Sequence, residues 1–230
     1  MQPSGKSGAG NTDLLKRCAR RPFNMIDRDF FLNLTNADLP VKRAGKKRGY
    51  RPARRALNHK GGKSITEHPK EVDSRRQTGH WEMDLVVGST KECLLVMSER
   101  ASRLEPIRKL PGKEQTYVAA ALDGIEREGK YRFLTITTDN GSEFLDSAGI
   151  EQSCLGKKKR TTHYFAHPYS SWERGTNENT NKLIRRFVPK DTDISACSDE
   201  DIARIERRIN HYPRRIFGYQ TAAERFFGAA

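Results

Sequence analysis

The chain has 230 residues, 35% of them hydrophobic, which suffices for one sizeable core or for one domain with a long appendage and excludes two large independent domains. Its 43 Lys and Arg against 29 Asp and Glu leave a formal net charge of +14, so a polyanion is the expected partner. No apolar run approaches the roughly 18 residues that span a bilayer, and the start MQPSGKSGAGNTDLLKRC has no apolar secretion core. A cytoplasmic protein with no membrane partner is expected. The four cysteines, Cys18, Cys93, Cys154 and Cys197, are too far apart for a metal clip and too few for a disulfide scaffold, and are read as reduced and incidental.

In chain order, residues 1–40 hold one helical-looking stretch, NMIDRDFFLNLTNADL, without a complete helix-turn-helix pattern. Between Leu39 and Thr66 come Lys42, Arg43, Lys46, Lys47, Arg48, Arg51, Arg54, Arg55, Lys60 and Lys63 with no acidic residue. Rich in Gly and poor in apolar residues, this window cannot bury a core and reads as a basic, poorly structured arm or linker. A solvated tail without a partner is the plainer alternative. From Gly79 the texture is β-type: WEMDLVVGS, ECLLVMSE and RLEPIRKL read as an antiparallel meander. The spacing of Tyr117, Ala120, Ala121 and Ile125 predicts a helix over 113–128, and FLTITTD predicts a buried strand ending at Asp139. HYFAHP reads as extended, PYSSWERGTN as turn-rich, Asn177 to Phe187 as a helix, and SDEDIARIERRINHY as a last helix stopped by Pro213. The resulting order is βββαβ with helices after it, an α/β class.

Asp84 lies inside an apolar run and Asp139 at a strand end before Asn140-Gly141. Buried charge is costly unless paired or metal-bound. Taken singly, Asp139 reads as a turn cap and Asp84 as an outward-facing strand residue. Glu178, near the start of the helix after PYSSWERGTN, changes the weighting: three carboxylates from two strands and a helix make a hard oxygen site suited to Mg²⁺.

GHWEMDLVVG, TTDNGSEF, HYFAHPYSSWERGTNENTNKLIRRFVPKDTDIS and INHYPRRIFGYQTAAERF resemble the DDE transposases of bacterial insertion sequences, in the branch named after insertion sequence 30. The similarity runs from about Ile65 through Phe227. It implies a ribonuclease H-like mixed sheet flanked by helices, an integrase-type catalytic domain over 65–230, and an N-terminal remnant with the basic arm over 1–64. Carried over by position, it makes Asp84, Asp139 and Glu178 the catalytic acids and the ligands of two Mg²⁺ (or Mn²⁺) ions. The implied activity is cleavage of DNA at transposon ends and strand transfer into target DNA, by a homo-oligomer associated with the nucleoid and without a small-molecule substrate. An inactive truncated remnant that only binds DNA is the alternative, since full-length relatives carry a helix-turn-helix part that residues 1–40 do not reproduce. A general ribonuclease H-type nuclease is a third reading, which the string after Glu178 disfavours.

The branch usually has a shorter interval between the second Asp and the Glu than the one spanning residues 140–177, and counting at that interval ends near Glu173. Glu178 is preferred because it is flanked by Asn and opens NENTNKLIRRF, with Gly175 and Thr176 expected to supply a turn and N-cap. The surplus fits an insertion around LGKKKR, which places Lys157, Lys158, Lys159 and Arg160 in a surface loop where phosphate contact and plain solubility are equally good readings. Lys182, Arg185 and Arg186 follow Glu178 on its helix and are candidates for the DNA backbone. His163 and His167 look extended rather than helical, which disfavours zinc. His80 and Trp81 read as packing or cap residues, and Trp172 as a base-stacking or sheet-covering residue.

Overall fold

A computed structural model describes residues 62–228 apart from Tyr169, Ser171, Trp172 and Arg174. The arm as far as residue 61, the stretch before it with Cys18, and Trp172 lie outside the described residues. The first described element corrects the arm's extent: Lys63 and Ser64 form a short strand, β1. A capping box on Ser64 ends it, with the Ser64 hydroxyl accepting from Thr66 N–H and the Glu67 carboxylate from Ser64 N–H at 2.9 Å. A short helix that the sequence reading did not contain, α1 (Lys70–Ser74), follows and buries Val72.

The meander forms as expected. Strands β2 (His80–Val87), β3 (Cys93–Glu99) and β4 (Ile107–Leu110) pair antiparallel in sequence. Next comes α2 (Gln115–Arg127), whose Val118, Leu122 and Ile125 recur at helical spacing on its buried side. After β5 (Thr135–Thr138) and the short α3 (Ser147–Glu151), the HYFAHP segment supplies β6 (Thr162–Phe165). Three helices complete the described chain: α4 (Gly175–Ile184), α5 (Asp199–Asn210) and α6 (Ala222–Phe227), the last absent from the sequence reading.

Among the described residues the strands make one sheet in the order β1-β6-β5-β2-β3-β4. The meander is antiparallel, whereas β2–β5, β5–β6 and β6–β1 are parallel. This mixed sheet, built in the βββαβ order and flanked by helices, is the α/β architecture expected. Because side chains alternate along a strand, β2 feeds two cores. Trp81, Met83 and Leu85 pack with Val118, Leu122 and Ile125 of α2 and Ala222 of α6. On the opposite face Val86 joins Leu94, Val96 and Ile107 against Ile184 of α4 and Ile202 and Ile209 of α5. The described cysteines, Cys93, Cys154 and Cys197, are free thiols, and burial pushes that of Cys93 up to about 11.

Candidate functional site

Asp84 has the parity of Glu82 and Val86, so it faces the side of the sheet covered by α4 and α5, not open solvent. It is half-buried. The parallel register aligns Glu82 with Thr137, and Asp139 follows directly after the last residue of β5. Asp139 makes the expected turn, its Oδ1 accepting from Gly141 N–H at 2.9 Å. The Asn140 side chain donates to Ala166 C=O at 2.9 Å, fastening that turn to the end of β6.

Helix α4 lies over this face. Its first turn contains Glu178, and one turn later Asn181 donates from Nδ2 to Asp84 Oδ2 at 2.8 Å. The other Asp84 oxygen accepts from Leu85 N–H at 2.9 Å. Glu178 itself is exposed and pairs with Lys182 at 2.9 Å. Gly175 and Thr176 are the first two residues of the helix, so Thr176 is not the cap expected of it. Glu173 is engaged elsewhere: both of its oxygens bind His167, one through the backbone N–H at 2.9 Å and one through the ring Nδ1 at 2.7 Å.

Asp84 thus lies under the helix that carries Glu178, and Asp139 follows the end of the neighbouring strand β5. The three carboxylates are not gathered to within 4.8 Å of one another. Among the described residues the group of metal-ligating types that close is Asp123, Glu126 and Cys154. That group is an ion-pair cluster around a cation. The Arg160 guanidinium binds Asp123 and lies 3.3 Å from Glu126. Burial opposes the charge of Glu126, yet hydrogen bonds from Ser153 and Cys154 hold its carboxyl below the usual range. Desolvation and the adjacent Glu126 push the Cys154 thiol up, so its sulfur favours the protonated form, a poor metal ligand.

Arg160 therefore does not belong in the phosphate-contacting loop. It is 8% exposed, because two acids of α2 hold it inward. Lys157, Lys158 and Lys159 are exposed, the last paired with Glu151. Arg185 and Arg186 lie just beyond α4 rather than on it. Arg186 is exposed, while Arg185 is half-buried and lowered by that burial against the opposing pull of Asp84. Lys42, Arg43, Lys46, Lys47, Arg48, Arg51, Arg54 and Arg55 lie outside the described residues. His163 is held by Ser147 and Thr138, each at 3.0 Å, and His167 by Glu173. His80 binds Thr135, and the Trp81 indole donates to Arg132 C=O at 2.9 Å, as packing and capping residues do.

Sequence reasoning missed Asn181, Thr180 and Glu105. The available signal was the run of small polar residues at Thr176, Asn177, Thr180 and Asn181, which share a helix side with Ile184.

No family model matches the chain. It is 40% identical over 163 residues to the transposase for insertion sequence element IS4351 of Bacteroides fragilis, across 70% of this chain and 48% of that protein. Against a probable transposase for the insertion-like sequence element IS1161 of Streptococcus salivarius it is 40% identical over 168 residues, across 72% and 46%. The transposase InsI for insertion sequence element IS30A of Escherichia coli is 32% identical over 190 residues, across 79% and 46%. The chain thus spans about half the length of these relatives. Among solved structures, the catalytic core domain of BIV integrase aligns with a TM-score of 0.49 at 21% identity, covering 66% of this chain and 96% of that one.

Proposed function

The chain is a relative of the transposases of IS30-type insertion sequences, and from that premise we propose that residues 65–230 are a catalytic domain that cuts DNA at transposon ends and joins the cut ends to target DNA. The observation that carries this reading is the parallel pairing of β2, which bears Asp84 beneath the helix of Glu178, with β5, after whose end Asp139 follows. Hard carboxylate oxygens from two strand positions and one helix are a donor set that fits Mg²⁺ or Mn²⁺, and Asp84, Asp139 and Glu178 would hold two such ions. When bound, a pair of divalent ions supplies activation of the attacking oxygen and stabilisation of the leaving 3′ oxygen in an in-line displacement at phosphorus.

The chain's own residues supply placement. The Gly141 N–H orients Asp139, and Asn181 orients Asp84. Lys182 balances the charge of Glu178 and, one turn along, can take a phosphate when the carboxylate turns to the site. Arg185, Arg186, Lys157 and Lys158, together with the basic arm, bind the DNA backbone through phosphates, without sequence choice. Pairing of two ends by a homo-oligomer and a cytoplasmic, DNA-associated location belong to the same reading. No helix among the described residues is long and apolar enough to cross a membrane.

The test is cleavage and strand transfer on oligonucleotides carrying the ends of the protein's own element, with Mg²⁺ or Mn²⁺. Asp84→Asn and Asp139→Asn should each abolish turnover while leaving DNA binding intact. Metal-independent binding by the unaltered chain with no cutting would instead make it an inactive DNA-binding remnant.

A further inference from the structure

The sheet-facing side of α4 is polar where it meets the middle of the sheet. Thr176, Asn177 and Thr180 are each at most 2% exposed, and only at Ile184 does that side become apolar. Three carboxylates receive it. Asn177 N–H donates to Glu82 at 3.1 Å, Asn181 to Asp84, and the Thr180 hydroxyl to Glu105.

Glu105 stands between β3 and β4, wholly buried and fixed from several sides. Its Oε2 accepts from Ser98 at 2.5 Å, its backbone N–H donates to the Asn210 side chain at 2.8 Å, and its C=O accepts from the same amide at 3.1 Å. A buried carboxyl costs free energy that a leucine in its place would not. A leucine, however, has no directional bond to offer a helix. Apolar contact alone would let α4 slide or roll with little penalty, whereas a hydrogen bond to one hydroxyl fixes the helix along its axis and about it. Thr180 sits two residues after Glu178 and one before Asn181, at the level of the helix where both must be aimed.

We propose that Glu105, acting through Thr180, is a positioning residue that fixes where α4 presents Glu178 and Asn181 to Asp84. This rests on the metal-site reading above and adds to it a residue that touches neither metal nor DNA. Burial pushes the Glu105 carboxyl up to about 8 against the opposing hydrogen bonds of Ser98 and Thr180, so near neutral pH it is largely protonated, with one oxygen donating to one of these hydroxyls and the other oxygen accepting from the second.

The test uses the full chain and Mn²⁺ alone as probe, with free Mn²⁺ followed by electron paramagnetic resonance, and hydrogen exchange measured over residues 175–184. Thr180→Val removes the hydroxyl at nearly constant shape, and Thr180→Ala removes it with a better helix former. Both should weaken Mn²⁺ binding by roughly ten- to a hundredfold, the range seen when a residue that orients a metal ligand is lost. Exchange in α4 should quicken while the unfolding midpoint stays close to that of the parent, and Thr180→Ser should restore both. Unchanged Mn²⁺ affinity and unchanged exchange in a folded Thr180→Val protein would overturn the proposal. Loss of the fold in both variants would also overturn it, since a purely structural role then suffices. If the parent chain shows no Mn²⁺ binding that Asp84→Asn removes, the metal reading itself falls and this inference with it.

Discussion

On one face of the sheet Trp81, Met83 and Leu85 meet the apolar sides of α2 and α6, while on the other Glu82 and Asp84, from the same strand, accept hydrogen bonds from amides of α4. The first face is held by area removed from water, which is non-directional and tolerates adjustment as long as volume is kept. The second is held by hydrogen bonds with fixed lengths and directions, each of which loses its value when displaced by an ångström or two. Folding strength and site geometry are therefore separable here, although alternate residues of one strand serve both.

The largest change in stability should come from the apolar face. Trp81 is fully buried, with ring centroids 5.8 Å from both Tyr131 and Phe226, and its indole N–H is satisfied. Trp81→Ala should lower unfolding free energy by about 3–5 kcal/mol, read by denaturant titration. Below the transition, Mn²⁺ affinity should stay at the parent's value. A parallel loss of affinity would show that the two faces are coupled.

A change with a pH signature is expected on the polar face. Glu105 folds with its carboxyl raised to about 8 from 4.5 in the unfolded chain, so between those values the folded state holds the extra proton. The resulting stability is fully present below about pH 4.5 and is lost as pH rises through about 8. Glu105→Gln cannot ionise. The stability of the parent relative to this variant should fall steadily over that interval, and a flat difference would show that Glu105 ionises normally. His68, pushed down to about 4 chiefly by burial, has the opposite slope: protonation destabilises the fold as pH falls from 6.5 through 4. Its contribution cancels in the difference because both proteins carry it.

The smallest stability effect separates the two glutamates near the start of α4. Glu173→Gln loses only a partly exposed interaction with His167 and should cost less than about 1 kcal/mol, with Mg²⁺-dependent cleavage retained. Glu178→Gln should change stability as little but abolish cleavage. The reverse pattern of activities would move the third acid to Glu173 and detach the site from the hydrogen-bonded side of α4.

The order βββαβ was legible because alternation, apolar runs and turn residues are local properties of the chain, and so were the acidic residues within the strings that carry the family resemblance. The same local rules misread Arg160, whose three preceding lysines suggest a solvated loop although its partners Asp123 and Glu126 lie far back in the chain on α2. They also missed β1, since two residues of a basic, Gly-rich window have no strand signal of their own and owe their pairing to β6, far along the chain. The polar side of α4 carries no local signal of burial. What buries it is the distant set of Glu82, Asp84 and Glu105. The sequence by itself determined which segments become strands and helices and which acids are available, because propensity and periodicity act over a few neighbouring residues. Tertiary structure alone decided that β5 lies beside β2, and which side of α4 faces Glu82 and Asp84, because those outcomes depend on hydrogen bonds between residues up to about a hundred positions apart.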